Sequence, residues 1–296
     1  MKYHGTLRRR GRQLRRFAEA IGEPQARGGA LVPAFWWDGH PNFGDDLTPW
    51  LLPKYGIVPI YREPRAARLI GVGSLLEFAA SDYEGAIWGA GLMNDAAHAL
   101  PRAAALAVRG PLTAERIGLR EEPAYGDPGI LVARHLPRAA SDGRIVVVPH
   151  GHHRQHQRLT AMVASAGDAA RVVNVHQRAA PAVREIAAGR VVITTSLHGL
   201  VTADAYGIPA VWTTLDPPLT GGDFKFRDYE AAVTPGQTRY RAFDEAGTLE
   251  GLADGAWTAD AAVIDRLGDG LEAALATAER RGTERFPGGI LRALRG

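Results

Sequence analysis

Two α/β units, each built on a parallel sheet of Rossmann-like type, are the architecture that this sequence predicts. Three observations lead there. Short apolar runs alternate with segments of helical pattern, the signature of βαβ units. The apolar runs end in Gly, Asn, His or Ser, as strands do when they run into binding loops. The whole pattern then restarts near Asp142, after the turn-rich stretch RAASDG. The boundary therefore falls near residues 137–143, with a basic segment over 1–28, a first unit over 29–140 and a second over 141–296.

The elements follow in order. Ala30 to Trp37 (ALVPAFWW) reads as a buried strand and leads into the loop DGHPNFGDD. LTPWLLPKYG is a short helix stopped by Gly56. Ala67 to Val72, Gly85 to Trp88 and Ala104 to Val108 are further strands. They end at Gly73-Ser74, Gly89-Ala90-Gly91 and Arg109-Gly110-Pro111 respectively. LTAERIGL is helical, with Pro111 suited to its first turn. Tyr125 to Pro128 is a turn. In the second half, strands are expected at Arg144–Val148, Arg171–Val175, Val191–Thr195 and Ala210–Thr213. Helices run between them, stopped by glycines such as Gly167 and Gly207. GGDFKFRDY reads as an irregular, mobile loop, and Ala256 to Arg281 as a closing amphipathic helix.

Composition narrows the function classes. Hydrophobic residues make up 46% and charged residues 23% of the 296, enough for a real core. With no cysteine, disulfides, thiolate catalysis and cysteine-ligated zinc are excluded, in keeping with a reducing, cytoplasmic setting. The start, MKYHGTLRRRGRQLRR, lacks the apolar centre of a signal peptide. It reads first as a solvated, poorly ordered tail, and second as a segment drawn to anionic lipid at the inner face of the membrane. A net charge of +3 gives no reason to expect a nucleic-acid partner.

In open parallel sheets, ligands sit outside the carboxyl ends of the strands. Asn42, Asp45, Ser74, Arg109, His150 and His198 all fall at such ends, and facing sheets would bring them to one cleft. Asn42, Gly44 and Asp45 fit either turn chemistry or recognition of polar ligand groups, with Asp45 or Asp46 capping the next helix. Arg109 precedes a helix start, where an uncompensated cation is unfavourable unless an anion lies between. His198 stands at a helix start with Ser196 as its possible N-cap. His150 lies in PHGHHRQH, a cluster that lacks neighbouring carboxylates, so no metal site is expected. GVGSLLE and WGAGL have the look of phosphate-cradling loops.

Six motifs carry a resemblance. NFGDDL (Asn42–Leu47), WGAGL (Trp88–Leu92), AVRGPLTAERIG (Ala107–Gly118), YGDPGIL (Tyr125–Leu131), SLHGLVTADAYGIPAVW (Ser196–Trp212) and FKFRDY (Phe224–Tyr229) together resemble the polysaccharide pyruvyl transferase family. The resemblance spans roughly residues 30 to 230. It implies two Rossmann-like domains facing a cleft in the glycosyltransferase-B manner. It also implies phosphoenolpyruvate as donor, the sugar of a cell-surface polysaccharide or its precursor as acceptor, and no cofactor. Some members carry Arg two positions before the motif histidine. Here that position is Ser196, so the donor's cation is expected at Arg109 or Lys225.

Forming a pyruvate ketal requires a proton for the methylene carbon, removal of protons from two hydroxyls and cations for a carboxylate and a phosphate. Histidine titrates in the right range for the proton transfers. His198, His150 and Arg109 are therefore the expected catalytic residues, with Asn42, Gly44, Asp45, Ser74, Ser196 and Lys225 binding substrate. Asp127 reads as a turn residue. Two other classes fit the same architecture: a sugar-nucleotide glycosyltransferase and a non-catalytic carbohydrate- or nucleotide-binding module. The first wants a late carboxylate for a ribose, for which the sequence offers no clear candidate. The second gives no reason to keep His198, Arg109 and Asn42 together.

Overall fold

A computed structural model of the chain describes residues 6–138, 140–278 and 284–290. Six parallel strands form the first sheet: β1 (Ala30–Phe35), β2 (Ile57–Tyr61), β3 (Leu69–Ile70), β4 (Ala86–Trp88), β5 (Ala104–Val108) and β6 (Ala124–Tyr125). Their order is β2-β1-β3-β4-β5-β6. Four parallel strands form the second: β7 (Ile145–Val148), β8 (Ala170–Val172), β9 (Val191–Thr194) and β10 (Ala210–Trp212), in the order β10-β9-β7-β8. Both sheets thus use one arrangement. The first strand lies between the second on one side and the third on the other. The strand order reverses between β1 and β3 in one sheet and between β7 and β9 in the other. Adjacent loops diverge at such a switch point and leave a crevice.

Eleven α-helices lie among the described residues: α1 (Thr6–Ile21), α2 (Leu47–Leu51), α3 (Pro111–Arg116), α4 (Val132–His135), α5 (Gln157–Ala166), α6 (Ala179–Ala187), α7 (Leu197–Ala205), α8 (Phe224–Val233), α9 (Phe243–Ala246), α10 (Leu249–Ala253) and α11 (Ala261–Thr277). Gly56 takes the left-handed conformation that ends the 3₁₀ turn after α2, and Pro111 opens α3. β2 and β6 are the strands that the apolar pattern does not reveal; Tyr125, read as the start of a turn, ends β6. Pro59 interrupts β2, and β2 is an edge strand, the position where a proline costs no ladder bond.

Two segments differ from expectation in kind. The basic start is a helix over its described part, not a tail; residues 1–5 lie outside the described residues. Asp38, 2% exposed, accepts hydrogen bonds from Arg12 Nε (3.0 Å), Gln13 Nε2 (3.0 Å) and Arg16 NH1 (2.8 Å). The helix is therefore fixed by a carboxylate far along the chain, which local periodicity cannot show. GGDFKFRDY is likewise not a mobile loop. Its second part is the first turn and a half of α8, with Phe224, Lys225, Phe226, Asp228 and Tyr229 buried. Phe226 stacks on Trp212 at 4.5 Å between ring centres.

One apolar cluster runs through both sheets, joining Trp36, Phe43 and Leu131 to Val148, Leu200 and Val201. α11, which follows the second sheet in sequence, packs on the first, where Trp88 Nε1 donates to Leu271 O (2.9 Å). Residues 279–281 of the expected closing helix lie outside the described residues. Asp46 ties the halves together directly. It does not cap its own helix α2 through its side chain. Its Oδ2 instead accepts from Ala179 N at the start of α6 (3.0 Å), and its Oδ1 from Arg16 Nε (2.5 Å).

Losing that carboxylate leaves an unpaired backbone donor at a helix start and weakens the seat of α1. Asp46→Ala is expected to destabilise by about 1–3 kcal/mol, read as a lower midpoint in urea unfolding.

Candidate active site

Both switch points open toward the same place. The loop after β1 carries Asn42 to Asp46, and the segment after β9 carries Thr195 to His198. Phe43 N donates to Val175 O (3.0 Å), in the segment after β8, which ties the loop after β1 to the second half of the chain. Asn42 Oδ1 accepts from Gly44 N (3.0 Å), so this side chain shapes the turn. Gly44 is required by close approach: a β-carbon there would lie 2.0 Å from His198 Nδ1. The glycine is the floor on which the imidazole rests.

On its other edge, His198 Nε2 faces Asp127 Oδ2 at 3.5 Å. Both atoms are buried, and neither has a hydrogen-bond partner. Asp127 Oδ1 meanwhile accepts from Gly129 N (2.8 Å). Asp127 is therefore the turn residue that the sequence suggested, and it also aims a buried oxygen at the histidine. Such a separation is typical of a pair that tightens when substrate binds. With Nε2 held toward the carboxylate, Nδ1 is left as the reactive nitrogen, an assignment that follows from contacts rather than from seen protons. Ser196 opens α7 without a side-chain capping bond, contrary to the capping role expected of it. Thr194 Oγ1 instead donates to Ser196 O (2.7 Å) and accepts from Ser196 N (2.9 Å).

Arg109 is fully buried, and each of its nitrogens has a partner. Nε donates to Asp228 Oδ2 (2.8 Å), NH1 to Ser74 Oγ (2.7 Å) and NH2 to Leu92 O (2.7 Å). Gly91 makes room for it, since a β-carbon there would lie 2.4 Å from Arg109 Cζ. The second glycine of WGAGL thus seats an arginine, while the first, Gly89, makes room for Pro128. Asp228 also accepts from Thr113 N (2.8 Å) and Thr113 Oγ1 (2.6 Å), which locks α8 to α3.

Lys225 contrasts with Arg109. It is 6% exposed, and its described surroundings give its ammonium no hydrogen bond, only the face of Phe226 at 5.7 Å. Burial, with Arg109 nearby, lowers its pKa to about 8. Asp45 answers it: burial raises this carboxyl to about 6, with His198, His40, Arg16 and Lys225 offsetting part of the effect. His150 is pushed down to about 3, first by burial and then by Lys225, so it stays neutral. Its backbone N–H donates to Thr195 Oγ1 (2.8 Å). His153 is held between Thr195 Oγ1 (3.0 Å) and Pro217 O (3.1 Å) and is structural. Among the described residues, no group of three or more His, Asp or Glu is placed to hold a metal ion.

A buried lysine, a carboxyl raised to about 6 and a histidine facing a buried carboxylate gather at the switch points of the parallel sheets of an α/β protein, and such perturbed groups cluster at functional sites. The chain belongs to the polysaccharide pyruvyl transferase family, whose model matches residues 32–217. It is similar to the Succinoglycan biosynthesis protein ExoV of Rhizobium meliloti (strain 1021), at 30% identity over 238 residues, covering 76% of this chain and 72% of that protein. No described helix is long and apolar enough to cross a membrane.

A charged Lys225 opposes folding. In the unfolded chain it is protonated below its ordinary 10.5, whereas in the folded chain its pKa is about 8. Below about 8 the folded protein bears the whole cost of the buried cation, and above 10.5 it bears none. Lys225→Met should therefore raise stability at pH 7 by on the order of 1–3 kcal/mol. The gain should fade as the pH rises from about 8 to 10.5. Urea unfolding across that range measures it.

Proposed function

We propose that this protein transfers the pyruvyl unit of phosphoenolpyruvate to a sugar of an exopolysaccharide or its precursor, forming a pyruvate ketal. Family membership and the similarity to a succinoglycan biosynthesis protein support this reading. The observation that carries it is Lys225, a buried lysine without a hydrogen bond near Asp45, which in turn lies near His198. A dianionic or trianionic donor is the ligand that makes such a burial favourable. In this proposal the two halves face each other as in the glycosyltransferase-B architecture, with the donor between their switch points.

The residues divide the work as follows. Lys225 holds the donor's negative charge, and Arg109 does not, because its three nitrogens are already engaged. Asp45, with a pKa near 6, supplies a proton to the methylene carbon, which becomes the methyl group. His198 Nδ1 takes the proton from the first sugar hydroxyl as its oxygen attacks the neighbouring carbon, with Asp127 stabilising the imidazolium. The C–O bond to phosphate breaks, and the second hydroxyl closes the ring. Of the two hydroxyl protons, one is balanced by the new methyl hydrogen and the other by the phosphate released. Ser196, without a capping task, offers its hydroxyl to the departing phosphate at the start of α7. His150 stays neutral and offers a hydrogen bond to the acceptor. Asn42 and Gly44 serve through the shape of the loop, and Ser74 through its bond to Arg109.

Phosphate release from phosphoenolpyruvate should depend on an added saccharide acceptor, with a ketal methyl signal in the product. Turnover of a nucleotide sugar instead, with phosphoenolpyruvate inert, would overturn the assignment.

His198→Ala should fold normally and lose about 10²–10⁴-fold in turnover. Gly44→Ala removes no catalytic group but displaces the imidazole of His198, and should cost on the order of 10²-fold in turnover. If Gly44→Ala turns over as fast as wild type, His198 does not act from the position described.

A further inference from the structure

α1 carries two apolar faces. Its inner face packs Phe17, Ala20 and Ile21 against Leu31, Val58 and Ile60, while Arg9, Arg12 and Arg16 beside them pair with Asp38, with Glu63 and Asp46 taking further bonds. Its outer face is apolar at the centre. Leu7 is 84% and Leu14 70% exposed, the two largest exposures among the described large hydrophobic side chains. They are seven residues apart, so at 100° per residue they lie within about 20° of each other around the helix. Gly11 and Ala18 fall on the same stripe, and both are exposed. Arg10 flanks the stripe on one side, and Arg8 and Arg15 flank it on the other. Arg8 and Arg10 have no carboxylate partner among the described residues, while Arg15 has only a loose contact with Glu19 at 3.8 Å.

From this arrangement we infer that the outer face of α1 docks the protein on the surface of an anionic lipid bilayer. The inference is independent of the chemistry proposed for the site. An exposed apolar stripe bordered by arginines is what lets a helix lie in the plane of a membrane interface, its apolar centre among the acyl chains and its cations among anionic headgroups. A second copy of the chain fits worse. Two such faces would oppose arginine to arginine, and two leucines cover far less than the roughly 800 Å² per partner of a stable interface. The arginines of the inner face are already neutralised by the protein. The outer ones are thus the cations left to attract lipid, each contributing about 1 kcal/mol near an anionic surface.

The test is co-sedimentation of the full chain with vesicles of phosphatidylcholine alone and of phosphatidylcholine mixed with phosphatidylglycerol. Binding is expected only to the mixed vesicles, weakening as salt is added. Leu7→Ser/Leu14→Ser should lower that affinity by at least about tenfold. Arg8→Gln/Arg10→Gln/Arg15→Gln should lower it by on the order of 10²-fold. The control Arg65→Gln/Arg120→Gln/Arg266→Gln removes the same charge from other exposed positions and should change it little. Circular dichroism checks that each variant is folded. No binding by wild type, an equal loss in the control, or full binding by the double serine variant would each overturn the inference. So would a loss of self-association in the serine variant with vesicle binding unchanged.

Discussion

Asp228 carries a negative charge into an interior where it has no exposure at all, and Arg109, equally buried, meets it there. Burying either ion alone would cost several kcal/mol. The pair is acceptable because its remaining capacity is spent: Asp228 also takes two bonds from Thr113, and Arg109 also reaches Ser74 and Leu92. Each of these partners belongs to the first sheet or its loops, whereas Asp228 belongs to a helix that follows the second. The ion pair therefore decides where α8 sits. Lys225 lies three residues before Asp228, so the same lock sets the position of the one buried ammonium of the site.

Two buried ionic clusters in the protein differ in a way that separates structure from function. Around Asp204 and Arg239, every charge is answered. Arg239 forks onto Asp204 and bonds Glu230, Tyr229 donates to Asp204 (2.9 Å), and Thr238 donates to Glu230 (2.7 Å). Nothing there is left for a ligand. Around Asp45, Lys225, His198 and Asp127, the residues are buried too, but Asp127 Oδ2 and His198 Nε2 are left without a hydrogen-bond partner. A fold does not keep such groups for its own stability, since a buried polar atom without a partner is a standing loss. In the function proposed above, the donor and acceptor supply the missing charges and donors.

Individual elements show where sequence patterns are informative and where they mislead. β1, β7 and β9 are short apolar runs at the centres of sheets, and a run of Val and Ile buried on both faces has few other places to go. α8 was hidden because its first turn, FKF, alternates like a strand, and only stacking of Phe226 on Trp212 and the lock on Asp228 favour the helix. Asp127 looked like a turn residue because one of its oxygens is one; the task of the other depends on a histidine 71 positions later.

By itself the sequence determined the two parallel sheets, the strand ends at which the site residues gather and the pairing of motifs that marks the family, because these depend on local period and on residues at fixed spacing. Only the tertiary structure decided which cation is free. Arg109 and Lys225 are equally basic in the sequence, and both precede or begin a helix. The difference is that a carboxylate 119 positions away, with Ser74 and Leu92, engages each nitrogen of the first, while burial isolates the second. The same holds for α1, whose arginines look alike until the positions of Asp38 and Asp46 divide them into an inner set that they pair and an outer set that they do not reach. Charge pairing across long sequence separations is a property of packing, and no local pattern encodes it.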